Sequence, residues 1–186
     1  MNKKRRIFGS IVLCTVILLT TGWVQTLPVA NRSKKEEIMT TEKNKAIDVA
    51  QIRQQLDNFA KAFRTRDMNL MMSLYAPAMV SFDIVPPLQD VGSDTYKKVW
   101  EKAFASFRGP IDIEMRDLNI TTGDDVAFSH GLLRIHATKS NGQKIDYWER
   151  ITFCFSKVAG KWLIVHEHVS VPVNLENGRA VLELKP

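Results

Sequence analysis

From Ala46 to Arg64 apolar side chains recur at Ile47, Val49, Ala50, Ile52, Leu56, Phe59, Ala60 and Phe63. Spacings of three and four predict one amphipathic helix. Asp67 is placed to cap a second, shorter helix whose Met68, Leu70, Met71, Leu74 and Tyr75 face the core, with Ala76-Pro77 ending it. A short strand over residues 79–85 is interrupted by Asp83 and closed by Pro86-Pro87. Ser93 or Asp94 then starts a third helix, with Tyr96, Val99, Trp100, Ala103, Phe104 and Phe107 on its apolar side and Arg108-Gly109-Pro110 at its end.

Beyond that point the period changes from helix to strand. Four long strands are predicted over about 111–121, 126–138, 144–157 and 160–172, separated by Gly-, Asn- and Asp-rich turns. Asn141-Gly142 is the strongest hairpin signal among them. Turns this short give an antiparallel meander. Asn177-Gly178 marks one more turn, and residues 181–184 a last strand. Three helices ahead of a strongly curved antiparallel sheet make an α+β layout, and a sheet wrapped over helices encloses a cone-shaped cavity.

The fourth long strand organises the expected site. Strict alternation puts Trp162, Ile164, His166, His168 and Ser170 on one face and Leu163, Val165, Glu167, Val169 and Val171 on the other. On the strand before it, Arg150 shares a face with Asp146, Trp148, Thr152 and Cys154. Glu149 and Glu167 are then expected to look outward or into a dimer contact.

Charge changes this picture only at the N-terminus. The formal charge is +6, but Lys3, Lys4, Arg5 and Arg6 carry +4 of it without an acid in residues 1–30. The remaining residues hold 22 basic and 20 acidic side chains, which gives no electrostatic case for nucleic acid. The basic start, the apolar run over 7–19 and the small residues Thr20-Thr21-Gly22 and Pro28-Val29-Ala30 have the layout of a bacterial export signal. Counted through Val24, the apolar run is also long enough to stay as an anchor. Residues 1–30 are therefore expected to be a signal peptide or N-terminal membrane anchor, with the domain periplasmic, secreted or tethered outside, and membrane contact through this segment alone. Residues 31–44 read as a solvated linker or frayed helix start, and 45–186 as the domain. Cys154 reads as a lone buried thiol. No Walker loop, G-x-G-x-x-G, C-x-x-C or G-x-S-x-G occurs, so nucleotide-binding, redox-thiol and serine-hydrolase classes have no support.

Two stretches, LYAPAMVSFDIVPPLQDVGSDTYKKVW and YWERITFCFSKVAGKWLIVHEHVSVP, together with the order of elements, resemble the SnoaL-like branch of the nuclear-transport-factor-2-like (NTF2-like) superfamily. The resemblance covers about residues 46–174. Its relatives include ketosteroid isomerases, polyketide cyclases and the association domain of calcium/calmodulin-dependent kinases. It implies a cone-shaped fold, a homodimer with sheets packed face to face, and chemistry that needs no cofactor. The matching positions are Arg150 and Thr152 on the third long strand, Trp162, His166, His168 and Ser170 on the fourth, and Asp83 before the double proline. The tyrosine and protonated acid of the steroid isomerases have no convincing counterpart by motif among Tyr75, Tyr96 and Tyr147.

The candidate chemistry is proton transfer. Asp83 or His168 is the expected base and Arg150 the clamp for a developing anion; the alternative for Arg150 is an internal pair with Asp83, Asp112 or a glutamate. Trp148, Thr152, His166, Ser170 and Trp100 are expected to line the ligand site, Trp100 also as core packing. His166 and His168, about 7 Å apart along a strand, could bind a metal only with a third ligand from His130, His136 or Asp83, and no metal is assigned. The expected ligand is a small hydrophobic or acidic molecule. The function is then a cofactor-independent isomerase, cyclase or lyase, or else a ligand-binding and dimerising module without catalysis.

Overall fold

The computed structural model describes residues 29–186, with side chains from residue 33. The compact body comprises Ile38–Pro186. Helix α1 runs over Val29–Thr65, so the segment expected as linker or frayed helix start is helical, and residues 33–47 are exposed along it. Its buried stripe is Ile52, Leu56, Phe59, Ala62 and Phe63, the spacing that the sequence shows. Helix α2 (Met68–Ser73) is capped by Asp67, whose carboxylate accepts from the Leu70 N–H at 2.9 Å, satisfying one of the free donors of a helix start.

Strand β1 (Tyr75–Phe82) begins earlier than its apolar pattern suggests and leaves Asp83 just beyond its end. The two-residue strand β2 (Asp90–Val91) pairs with it. Helix α3 (Ser93–Ala105) buries Tyr96, Trp100 and Phe104. The long strands are β3 (Phe107–Thr122), β4 (Val126–Lys139), β5 (Lys144–Val158) and β6 (Lys161–Ser170). The tail forms a separate ribbon of β7 (Val173–Asn174) and β8 (Arg179–Ala180), and the strand expected over 181–184 is absent.

The main sheet has the order β2-β1-β6-β5-β4-β3. Its meander is antiparallel, while β1 joins β6 in parallel. That edge needs the α2-β1 segment to return across the sheet, a long-range contact that turn signals cannot reveal. Bulges bend the sheet. One lies between Arg116 and Asn119 on β3, where Asp117 takes φ 53°. Opposite it, a Cβ on Gly131 would stand 2.9 Å from the Arg116 carbonyl oxygen, so a glycine is required for the two strands to close.

The inner face of the curved sheet is filled by the helices. Phe59 packs edge-on against Trp100 at 5.8 Å and Phe153 at 5.2 Å, and Phe63 against Trp100 at 5.2 Å. These rings, with Leu56, Met71, Met79, Ile113, Leu133, Phe155 and Trp162, form the core.

A second bulge decides which side chains reach that core. Cys154 pairs with His166 and Phe155 with Ile164, so Val165 is an extra residue on β6. Trp162 and Ile164 are buried before it; Glu167 and Val169 are buried after it. One inserted residue shifts the period-2 alternation by one place and turns His166, His168 and Ser170 to the other side.

Candidate functional site

The expected convergence of Arg150, His166 and His168 inside a funnel is therefore corrected. On β5 the buried series is Glu149, Ile151, Phe153 and Phe155. Arg150, Thr152 and Cys154 lie between them, on the outer face, where Arg150 pairs in register with Ser170, Thr152 with His168 and Cys154 with His166. Arg150 and His168 are exposed. They share a face, as the sequence suggests, but it is the face away from the helices. Strand alternation fixes who neighbours whom; it does not say which side the helices cover.

The outer face has its own order. Phe82 stands edge-on to His166 at 4.8 Å and to His168 at 5.7 Å. The Val80 carbonyl accepts from His166 Nδ1 at 2.9 Å, which leaves Nε2 without the proton in the neutral ring. Trp148 lies under the Arg116 guanidinium at 5.6 Å. Cys154 is half-buried, and burial pushes its thiol up. No group of three or more metal-ligating side chains forms among the described residues.

Of the expected site residues, Asp83 and Trp100 belong to the inner side. They meet there a set of groups that motif reading passed over. Glu167 is 2 % exposed. Its carboxylate accepts from the Tyr75 hydroxyl at 2.5 Å and from the Tyr96 hydroxyl at 3.0 Å. The three come from β6, β1 and α3, so one carboxylate ties two strands and a helix together. Burial raises its pKa to about 7, with Asp83 adding repulsion and the two phenols opposing.

Glu149, 6 % exposed, lies on the same face. Burial pushes its pKa up to about 8, helped by the charges of Asp83 and Glu167, while a hydrogen bond with Tyr147 pulls down. Tyr147 is itself pushed well above its ordinary range by burial and by Glu149. Asp83, half-buried at the end of β1, accepts from the Ile84 N–H at 2.6 Å. Burial raises its pKa, its backbone hydrogen bonds oppose, and nearby Asp90 adds to the rise. Two buried polar atoms beside this set are loosely held: the Trp100 indole N–H reaches toward the Tyr75 oxygen and the Ser81 hydroxyl toward the Tyr96 oxygen, neither in a well-formed hydrogen bond.

This set brings together a carboxyl whose pKa burial pushes up to about 8 (Glu149), a half-buried acid raised by burial (Asp83) and the buried Trp100 indole N–H. A carboxyl that keeps its proton can donate to a developing oxyanion, and a second that does not can accept a proton. One signal in the sequence did mark Glu149. Tyr147, Glu149, Ile151, Phe153 and Phe155 form the more apolar face of β5, so that face is the one to bury. Glu167 had no such signal, because the bulge at Val165 hides its side.

A cavity of about 420 Å³ lies apart from this set, lined by Asn44, Lys45, Asp48, Gln51, Asp124 and Lys157 among others. Asp48 there takes Lys157 Nζ at 2.5 Å and the Trp162 indole N–H at 3.0 Å, fixing α1 to the ends of β5 and β6.

The comparisons agree with this architecture. The chain is similar over 74% of its length to an NTF2-like protein of unknown function from Pseudomonas putida KT2440, with 30% identity, 95% of that chain covered and a TM-score of 0.69. It is similar at 25% identity to a protein described as a calcium/calmodulin dependent protein kinase II association domain from Xanthomonas campestris, covering 74% of this chain and 88% of that one, TM-score 0.58. A ketosteroid isomerase-like protein from Erwinia carotovora atroseptica shares the fold at 21% identity, 65% and 93% coverage and TM-score 0.58. No curated protein matches the chain. The model of the SnoaL-like domain matches residues 52–174, from the buried stripe of α1 to the β7 ribbon and across every residue of the inner acid set, and so the chain belongs to the SnoaL-like family, built on the NTF2-like cone fold.

Proposed function

We propose that the protein is a cofactor-independent isomerase or lyase that moves a proton with Asp83 and Glu149. What supports this is a pair of interacting carboxyl groups on one covered face, Glu149 buried on β5 with its pKa pushed up to about 8 and Asp83 half-buried at the end of β1. In an isomerisation, the Asp83 carboxylate removes a proton from the carbon next to a carbonyl. The C–H electron pair forms a C=C bond and the carbonyl pair moves to oxygen. The carboxylic proton of Glu149 and the Trp100 indole N–H bond that oxygen. Where the substrate has a C=C bond β,γ to the carbonyl, the anion is a conjugated dienolate; Asp83 returns the proton to its γ-carbon, the double bond moves to the α,β position and the carbonyl re-forms. The ketosteroid isomerase-like neighbour is in keeping with this chemistry; Arg150 and His168 stand outside it.

The test is exchange of α-hydrogens for deuterium in a panel of small apolar ketones incubated with the full chain. Asp83→Asn should lower the exchange rate about 100-fold or more, the usual weight of a positioned base. A panel with no protein-dependent exchange, or an Asp83→Asn variant at wild-type rate, rejects the catalytic reading.

A second reading is favoured by the outer face. Phe82 and Phe128 are 39% and 44% exposed there, and the kinase association domain neighbour is named for assembly. On this reading the chain is a non-catalytic module, and in either case two copies pack their outer faces together. Sedimentation of wild type against Phe82→Glu tests the dimer, a monomer in both rejecting it, while the exchange assay separates the two readings. Export by the N-terminal segment is proposed alongside, and N-terminal sequencing of the secreted product tests it.

A further inference from the structure

The outer face holds a pair of imidazoles that the inner chemistry does not use. His166 and His168 stand two apart on β6, about 7 Å along the strand, with ring centroids 6.4 Å apart. His166 is half-buried and His168 exposed. Phe82 stands edge-on to both rings and braces them from β1.

His166 is already set as a ligand. Its Nδ1–H donates to the Val80 carbonyl oxygen at 2.9 Å, which fixes the ring and leaves the lone pair on Nε2. A metal-binding histidine is held in this way, its second nitrogen donating to a carbonyl or a carboxylate. One ion, about 2.0–2.1 Å from a nitrogen of each ring, fits between them once the exposed His168 side chain turns toward it. Imidazole selects zinc, copper or nickel, whereas magnesium and calcium take oxygen ligands.

Two imidazoles leave such an ion half-coordinated. Among the described residues no set of three metal-ligating side chains forms, so the remaining positions fall to another molecule. The surroundings favour a second copy of the chain. In register across the sheet, one row runs Phe128, Cys154, His166, Val80 and the next runs His130, Thr152, His168, Phe82. The histidine pair therefore lies between Phe82 and Phe128, both partly exposed, and neither row carries a lysine, an arginine or a carboxylate. A contact that covers the two phenylalanines covers the ion as well and buries no unpaired side-chain charge from these rows. In a two-fold contact a patch meets itself, and two pairs of imidazoles close a tetrahedral shell.

We propose that His166 and His168 form half of a site for a divalent transition metal such as zinc, completed by the same pair from a second copy packed on the outer face. This rests on the outer-face contact proposed above and adds the ion that controls it. The ion is structural: it holds two copies together and takes no part in the proton transfer.

The full chain, free of any histidine tag, is stripped of metal with EDTA, sedimented, and sedimented again with zinc or magnesium chloride; bound zinc is counted after dialysis. Zinc should raise the share of dimer and remain at one ion per two chains. Magnesium should do neither. His166→Ala and His168→Ala should each weaken zinc binding about tenfold or more, at least the loss expected when a ligand's outer partner is removed, and should behave as wild type without zinc. His136→Ala, which lies farther along β4 in register with Asp146, should leave binding unchanged. One ion per chain on a monomer, zinc lost in Cys154→Ser, or zinc held equally well by His168→Ala overturns the shared site. A dimer that zinc does not alter overturns the metal and leaves the outer-face contact standing. A monomer with and without zinc overturns both.

Discussion

The two faces of the sheet use their polar groups in opposite ways. The outer face has four histidines, Arg150 and an exposed network in which Arg134 forks onto Asp146 at 2.7 and 2.8 Å. Water reaches these groups, so each is satisfied independently and each is worth little to stability. The inner face has few polar groups, but they are buried among aromatic rings, and every one changes the protonation of its neighbours. Polar residues gain leverage where the dielectric is low. Count and motif pointed to the outer set; burial shifts the pKa values of the inner one.

Six variants sharpen this contrast. Deletion of Val165 and His166 together should have the largest effect. It makes Ile164 adjoin Glu167, so strict alternation turns Glu167 and Val169 outward or throws the Trp162 end out of register, with a loss of more than about 3 kcal/mol. Chemical denaturation measures it, and a wild-type midpoint would show that the spacing between Ile164 and Glu167 does not set the faces.

Glu167→Ala comes next. It strands the hydroxyls of Tyr75 and Tyr96 in the core, each at a cost of about 1–3 kcal/mol. Tyr75→Phe should cost less, about 1.5–3 kcal/mol for one bond to a charged acceptor, and should move the Glu167 titration upward because a stabilising donor is lost. Carboxyl NMR titration checks the direction; a downward move would mean that Tyr75 does not donate to it.

Glu149→Gln tests pH dependence. The folded pKa of about 8 lies above the ordinary 4.5, so between these values the folded chain binds a proton that the unfolded chain has released. Stability therefore falls as pH rises from about 4.5 to 8, by at most about 1.4 kcal/mol per unit for this group. The variant should flatten that slope in denaturation curves across the window. An unchanged slope would show that Glu149 ionises normally.

The smallest effects belong to the outer face. Arg150→Ala and His168→Ala should each change stability by less than about 0.5 kcal/mol and leave any proton-exchange activity intact. A loss of activity in Arg150→Ala comparable with that of Asp83→Asn would return the site to the outer face.

Much of the architecture was legible. The stripe of α1, the Asp67 cap, the aromatic side of α3 and the four long strands with their turns all rest on local periodicity and turn chemistry. Asp83 was legible as an acid out of place in an apolar stretch, and Trp100 as a large ring beside the site. His166, His168 and Arg150 were misplaced for a nonlocal reason. A bulge exists only in relation to the strand it pairs with, and no composition at Val165 announces it. Tyr75, Tyr96 and Glu167 lie on three elements separated by up to 92 positions, so no motif joins them.

By itself the amino-acid sequence determined the elements, their order and the side chains that share a strand face, because a backbone period of two or of 3.6 depends only on neighbours along the chain. Tertiary structure alone decided which face the helices cover and where the alternation slips. That choice is made by packing the whole apolar surface of α1 and α3 against one side of the sheet. It buried Glu149 and Glu167 beside Asp83, turned the histidines to the outer face, and so placed the ionisable groups whose pKa values burial shifts.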